Sequence, residues 1–257
     1  MNKKSENSEN VIDAVNLTLG YDDFILLENI SFSVKKGEIF AILGGSGCGK
    51  STILKHLIGL YSPLKGDIMI NGSSIVDAEP DEKNELMKQF GVLYQSGALF
   101  SSLTLEENVA MPLREFTDLP ENIISAMSQV KLSLVGLEGF EGFAPSEISG
   151  GMKKRAGLAR AMSLDPAILF FDEPSAGLDP ISSADLDKLI LKLRDATGTT
   201  MVIVTHELDS IFTVADRVII LDKESKGIVA EGDPRYLRDN CDNAWVKEFL
   251  NRSNMRN

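Results

Sequence analysis

Three stretches of the chain are apolar almost without a break: Ile39-Phe40-Ala41-Ile42-Leu43, Ala167-Ile168-Leu169-Phe170-Phe171 and Met201-Val202-Ile203-Val204-Thr205. Short runs of this kind, rich in β-branched and aromatic residues, predict strands buried on both faces, as in a parallel sheet. Phe90-Gly91-Val92-Leu93-Tyr94 predicts another strand, and Val218-Ile219-Ile220-Leu221 and Ile228-Val229-Ala230 predict closing ones. Upstream the pattern differs. Ile30-Ser31-Phe32-Ser33-Val34 alternates with period two, and Val11, Ile12, Val15 and Leu17 suggest a further strand. Asp67 to Ile70 and Ser73 to Val76 flank Asn71-Gly72, a strong hairpin signal. These early strands read as an antiparallel layer separate from the parallel core.

Helical spacing dominates from about 102 to 165. Thr104-Leu105-Glu106-Glu107 is a capping box, and Ile123, Met127, Val130 and Leu134 share a helix face. Met111-Pro112 and Leu119-Pro120 are expected to break this region into pieces. Pro180 suits the start of a later helix and Gly198 its end, with Leu186, Leu189, Ile190 and Leu193 as the buried face. Trp245, Val246, Phe249 and Leu250 form one face of a C-terminal helix within 241–257, expected to pack on its own domain. Residues 1–10 read as a disordered tail.

The first apolar run leads into Gly44-Gly45-Ser46-Gly47-Cys48-Gly49-Lys50-Ser51-Thr52, which fits the phosphate-loop pattern G-x-x-x-x-G-K-[ST]. A triphosphate needs many donors at short range. The glycines let the backbone point its N–H groups inward, and the following helix aims its positive dipole end at the same anion. Lys50 is expected to reach the β- and γ-phosphates, Ser51 to ligate Mg²⁺, and Thr52 to donate to an inner phosphate. Cys48, among inward-facing amides beside Lys50, is expected to be a reactive thiol that MgATP protects.

Composition narrows the class. The 257 residues suit one large domain, or one domain with a subdomain. The net charge of −12 argues against a nucleic-acid partner. No apolar run approaches the ~18 residues of a membrane span, so a membrane role is expected to come through a partner. Two cysteines, Cys48 and Cys241, fit a reducing cytosol.

Other residues gain meaning from their place at strand ends. Asp172-Glu173 ends the second apolar run as a magnesium pair, Asp172 holding the ion and Glu173 polarising the attacking water. Gln95 and His206 follow strands at the same edge, where open α/β sheets bind ligands. Ser149-Gly150-Gly151-Met152 opens a helix as a second anion cradle. By default Lys153-Lys154-Arg155 reads as a solvated charge run, and His56 is assigned nothing.

In order along the chain these motifs resemble the ATPase subunits of ABC transporters, from Val11 to about Arg235. The resemblance makes Tyr21 the adenine-stacking aromatic, Gln95 the Q-loop glutamine and a metal ligand, Ile148 to Met152 the signature, Asp179 part of the D-loop and His206 the switch histidine. Met152 stands where the family usually has glutamine. The implied fold is α/β: a P-loop NTPase core with a parallel sheet, an N-terminal antiparallel β-subdomain and an inserted α-helical signature subdomain, over residues 11–240. Tyr94 to Phe100, Asn108 to Glu115 and Ser149 to Arg155 resemble the ATPases of MCE-type lipid transporters. That implies ATP and Mg²⁺, a homodimer with shared sites, an integral membrane permease, an MCE-type lipid-binding protein and a place at the cytoplasmic face of the inner membrane. Against this stand an importer of another small solute and a soluble ABC ATPase. DNA-repair members need a long coiled-coil insertion and a basic surface, and translation-associated members usually carry two such domains; a P-loop kinase or GTPase lacks the Ser149 element and His206.

Overall fold

Alternate residues of the apolar runs face opposite sides of one sheet, and both sides are covered. The computed structural model describes residues 10–21 and 24–251. Its elements are β1 (Asn10–Tyr21), β2 (Phe24–Lys35), β3 (Ile39–Gly44), α1 (Lys50–Leu57), β4 (Lys65–Ile70) and β5 (Ser73–Ser74). Then come α2 (Pro80–Met87), β6 (Phe90–Leu93), α3 (Leu105–Phe116), α4 (Glu121–Leu134), α5 (Gly150–Ala161), β7 (Ile168–Asp172) and α6 (Pro180–Thr197). The chain ends with β8 (Thr200–Val204), α7 (Leu208–Val214), β9 (Arg217–Asp222), β10 (Gly227–Gly232), α8 (Pro234–Asn240) and α9 (Ala244–Asn251). Of the expected N-terminal tail, only Asn10 lies among the described residues, and it opens β1. Residues 252–257 of the expected C-terminal tail also lie outside them.

The larger sheet has the order β10-β9-β3-β8-β7-β6, parallel throughout except for β10. Ile39, Ala41, Leu43, Leu169, Phe171, Met201 and Ile203 face a core shared with α5 and α6, through Ala156, Leu158, Leu186, Ile190 and Leu193. Phe40, Ile42, Ile168, Phe170, Val202 and Val204 face the other way, toward Ile53, Leu54 and Leu57 of α1 and the smaller sheet. Burial on two faces is why Ile39 to Leu43, Ile168 to Phe171 and Met201 to Val204 carry no polar positions. The smaller sheet, β2-β1-β4-β5, is antiparallel and packs Ile12, Leu17, Ile30 and Val34 into the second core.

Asn71 (φ 49°) and Gly72 (φ 82°) are both left-handed, as a type I′ hairpin turn requires. The second hairpin strand is shorter than its sequence suggests. Ser74 Oγ donates to Asp67 Oδ1 and accepts from the backbone N–H of Val76 and Asp77, so a side chain replaces the ladder after two residues. The inserted helices also differ in one respect. Pro112 does not break α3, because Ala110 and Leu113 bury against Ile124 of α4 and hold the helix across the one missing backbone donor. Leu119-Pro120 is a true break. At the C-terminus, Val246, Phe249 and Leu250 of α9 are buried in the chain's own core. No helix among the described residues is long and apolar enough to cross a membrane.

Candidate nucleotide site

β3 delivers the chain to the glycine-rich loop at the C-terminal edge of the parallel strands. Gly44 (φ 154°) passes so close to its neighbours that a Cβ would lie 2.5 Å from Cys48 Sγ and 2.6 Å from the Leu221 carbonyl oxygen. Lys50 is buried, and its Nζ donates to the carbonyl oxygens of Gly44 (2.9 Å) and Gly45 (3.1 Å), so the ammonium lies across the inside of the turn. Ser51 Oγ donates to Asp172 Oδ1 at 3.2 Å. Tyr21 is exposed beside the loop; its hydroxyl shares a hydrogen bond with Thr52 Oγ1 (3.3 Å), and its ring stands edge-on to Tyr61 at 5.9 Å.

The sheet order puts the ends of β3, β8, β7 and β6 side by side. One cavity of about 920 Å³ is therefore lined by Gly44, Gly45, Ser46, Gly47, Gly49, Lys50, Ser51 and Thr52 together with Gln95, Glu173 and His206. Glu173 has a left-handed backbone (φ 47°), held by its N–H donating to the Val204 carbonyl at 2.8 Å. This turns its carboxylate to His206, whose Nδ1 lies 2.9 Å from Oε1. Burial raises the pKa of Asp172 and the Glu173 charge adds to that, while the Ser51 hydroxyl and the charges of Lys55 and Lys50 oppose it.

Ser149, Gly150, Gly151 and Asp179 stand outside this cavity. Ser149 caps α5, accepting from Met152 N–H at 3.2 Å, and is exposed like Gly150. Ser149, Gly151 and Met152 line a separate hollow of about 240 Å³ with Leu178 and Ser182. Asp179 caps α6: Oδ1 accepts from Ile181 and Ser182 N–H, each at 3.0 Å, and the Ser182 bonds hold the carboxyl below the usual range. The helix starts at Lys50 and at Ser149 thus line different cavities of one chain.

Comparison with known proteins decides the family. The ABC transporter family model matches residues 27–176, more than half of the chain. The chain belongs to the ABC transporter ATPase family. It is 41% identical over 243 residues to the intermembrane phospholipid transport system ATP-binding protein MlaF of Haemophilus influenzae, covering 95% of this chain and 91% of that protein. Identity is 43% over 240 residues to the probable ribonucleotide transport ATP-binding protein mkl of Mycobacterium tuberculosis (strain H37Rv), covering 93% of this chain and 66% of the relative. Among solved structures, cbiO1 from Clostridium perfringens, part of the ABC transporter complex cbiONQ, superposes with a TM-score of 0.83 at 28% identity, over 97% of this chain and 96% of its own. MJ0796, solved as a dimer in a post-hydrolysis state with ADP and Pi, gives a TM-score of 0.78 at 28% identity, over 86% of this chain and 98% of its own.

Two expectations for this ABC ATPase are corrected by its structure. Cys48 is 1% exposed and belongs to the apolar core shared by β3 and α1. Burial raises its pKa against the opposing pull of Lys50, so the thiol is shielded and its ionised form disfavoured. The run Lys153-Lys154-Arg155 is not uniformly solvated either. Lys154 is 5% exposed, and its Nζ donates to the carbonyls of Pro174 (2.5 Å) and Ala176 (2.6 Å).

Two other residues escaped sequence reasoning. Buried Asn108 accepts from Phe100 N–H (2.7 Å) and donates to the Phe100 and Thr104 carbonyls (3.1 and 2.9 Å), fixing the loop that follows Gln95. Arg160 of α5 donates to the Ala98 and Gly97 carbonyls of the same loop (2.7 and 3.1 Å). Helical spacing carried a hint, since Asn108 falls four residues after the cap Thr104 and beside the apolar pair Val109-Ala110.

Proposed function

We propose that this chain is the ATP-hydrolysing subunit of a membrane transporter for phospholipid or a related envelope lipid. It works as a homodimer at the cytoplasmic face of the inner membrane, docked on an integral permease and served by an MCE-type lipid-binding protein. The observation that carries the ATPase reading is the single cavity that gathers the Lys50 loop, Gln95, Glu173 and His206. Lys50 and the amides of the first turn of α1 hold the phosphates, and Tyr21 offers its ring to the adenine. Glu173 acts as general base on the attacking water, and His206 orients the Glu173 carboxylate.

The residues fit Mg²⁺. Ser51 Oγ and Asp172 Oδ1 are hard oxygen donors 3.2 Å apart, and Gln95 lines the same cavity as Ser51, a small donor set of the kind Mg²⁺ accepts alongside phosphates and waters. When bound, the ion supplies charge neutralisation on the β- and γ-phosphates. Ser149, Gly150 and Gly151, which stand outside their own chain's cavity, cover the ATP held by a second copy, and Asp179 contributes to the same shared site.

The lipid cargo is supported by the likeness to MlaF, named for phospholipid transport, over nearly the whole chain. The relative mkl is named for ribonucleotide transport, which keeps a small solute as the alternative cargo. Purification of the complex from detergent-solubilised membranes separates the two. Recovery of a permease with co-purified phospholipid and phospholipid-stimulated ATP hydrolysis supports the lipid reading; stimulation by nucleosides alone overturns it.

A further inference from the structure

One buried charge outside the nucleotide cavity is that of Lys154. It lies on the first turns of α5, five residues after the cap Ser149, or roughly 7 Å along the helix axis. Its ammonium is buried, and among the described residues no carboxylate comes within ion-pair distance. Burial lowers its pKa, and the charge of Glu173 opposes that. Three carbonyls surround it instead: Pro174 at 2.5 Å, Ala176 at 2.6 Å and Glu173 at 3.5 Å. A buried ammonium is expensive unless its donors are matched. Here they are matched by the turn that carries Glu173.

That turn needs holding. Glu173 is a non-glycine residue with φ 47°, a backbone state that costs free energy and persists only where the surroundings impose it. Its N–H is tied to Val204 of β8, and its carbonyl accepts from Ala176 N–H at 3.1 Å. Lys154 donates to the Glu173, Pro174 and Ala176 carbonyls of the same turn. The same helix is capped by Ser149, which lines a hollow separate from this chain's nucleotide cavity. Lys154 therefore stands between the cradle offered to one nucleotide and the carboxylate serving another.

We propose that Lys154 is a positioning residue for Glu173, and that through it closure of the Ser149 cradle on the partner copy's ATP sets the Glu173 carboxylate in its own chain's site. The coupling rests on the shared-site reading given above. A shift of α5 toward the partner's nucleotide moves the Lys154 ammonium and with it the carbonyls at 173–176. A displaced base loses much of its effect, since misplacement by about 1 Å can cost 10²-fold in rate.

The test uses the full-length chain with its permease and the variants Lys154→Met and Lys154→Arg. Lys154→Met should lower kcat by about 10- to 100-fold with unchanged nucleotide affinity, and should abolish cooperativity in ATP concentration. Lys154→Arg, which keeps charge and donors, should recover most of kcat. If the methionine variant does not fold, Lys154→Gln takes its place in the same comparison. Wild-type kcat and cooperativity in the neutral variant overturns the proposal. So does an equal loss of kcat, affinity and thermal stability that arginine fails to rescue, since that describes packing alone. A separate control, Glu173→Gln with ATP, should form a dimer. Absence of that dimer removes the shared site and with it the coupling; a dimer alongside unaltered Lys154→Met kinetics removes only the role of Lys154.

Discussion

His206 Nδ1 lies 2.9 Å from Glu173 Oε1 and 3.0 Å from Oε2, so the ring faces both oxygens of the carboxylate at once. The two residues follow neighbouring parallel strands, β8 and β7, and the register of those strands sets the contact. Glu173→Gln keeps the shape and removes the basicity. Phosphate release should fall by about 10²- to 10⁴-fold, the usual contribution of a positioned base, while ATP binding persists. Near-normal turnover in this variant would rule out Glu173 as the base.

The sheet and its ligand edge were legible because burial on both faces leaves a plain mark in sequence: Ile39 to Leu43, Ile168 to Phe171 and Met201 to Val204 have no polar positions. Strand, glycine loop and helix in that order then located Lys50. Lys154 was not legible in the same way. Charge in a run of three basic residues carries no information about which one turns inward; that depends on the rotation of α5 against the turn after β7. Only the small residues that follow, Ala156, Gly157 and Ala159, hinted at a helix packed close on one side. At Gly157 a Cβ would stand 2.9 Å from the Gly97 carbonyl oxygen, which is how nearly α5 touches the loop after Gln95. Asn108 escaped for a related reason, since its bonds to Phe100 join parts of the chain that only tertiary packing brings together.

Cys48 should be slow to alkylate. Its thiol is buried and its pKa raised by that burial. In a short exposure to iodoacetamide, mass spectrometry should find Cys241, which is only half-buried, modified before Cys48, with or without MgATP. Rapid labelling of Cys48 that MgATP prevents would restore the reactive thiol.

Asp172 links the site to pH. Burial raises its pKa above the ordinary aspartate value, so the folded chain disfavours the ionised form. A group raised in this way contributes stability below its unfolded pKa and loses it as pH rises through the folded one. At neutral pH the ionised carboxylate is therefore a cost to the nucleotide-free chain. Asp172→Asn should raise the thermal midpoint without nucleotide at neutral pH, and the difference should shrink on acidification. The same variant should lose magnesium-dependent hydrolysis. A lower midpoint for Asp172→Asn at neutral pH would contradict this account.

Arg114 Nε donates to both Glu121 oxygens, at 3.1 and 3.2 Å, bridging α3 and α4 on an exposed surface. Phe100 and Phe116 are also exposed, on the Asn108-held loop and at the end of α3. An exposed pair of this kind contributes little to stability, so Arg114→Glu should leave the fold and ATP binding intact. It should nevertheless weaken co-purification of the permease, as should charge reversal at Glu115, if the segment from Asn108 to Glu115 forms the docking surface. Tight permease binding after disruption of that whole segment places the dock elsewhere.

The Lys50 loop and the Ser149 cradle open into different spaces of one chain, so a single triphosphate gains both only when two chains face each other. Lys50→Ala and Ser149→Arg can be combined in tagged heterodimers in two ways. Placed on opposite chains, both lesions fall in one shared site, and the second site stays whole. Placed on one chain beside a wild-type partner, they damage both shared sites. If each site belonged to one chain, the results would reverse: opposite placement would damage both and same-chain placement would spare one. Nucleotide trapping is the suitable readout, because one intact site need not sustain full turnover. Shared sites require trapping by the opposite-chain heterodimer and none by the same-chain one. The reverse result removes the shared site, and the Ser149 helix start then has no nucleotide to cover.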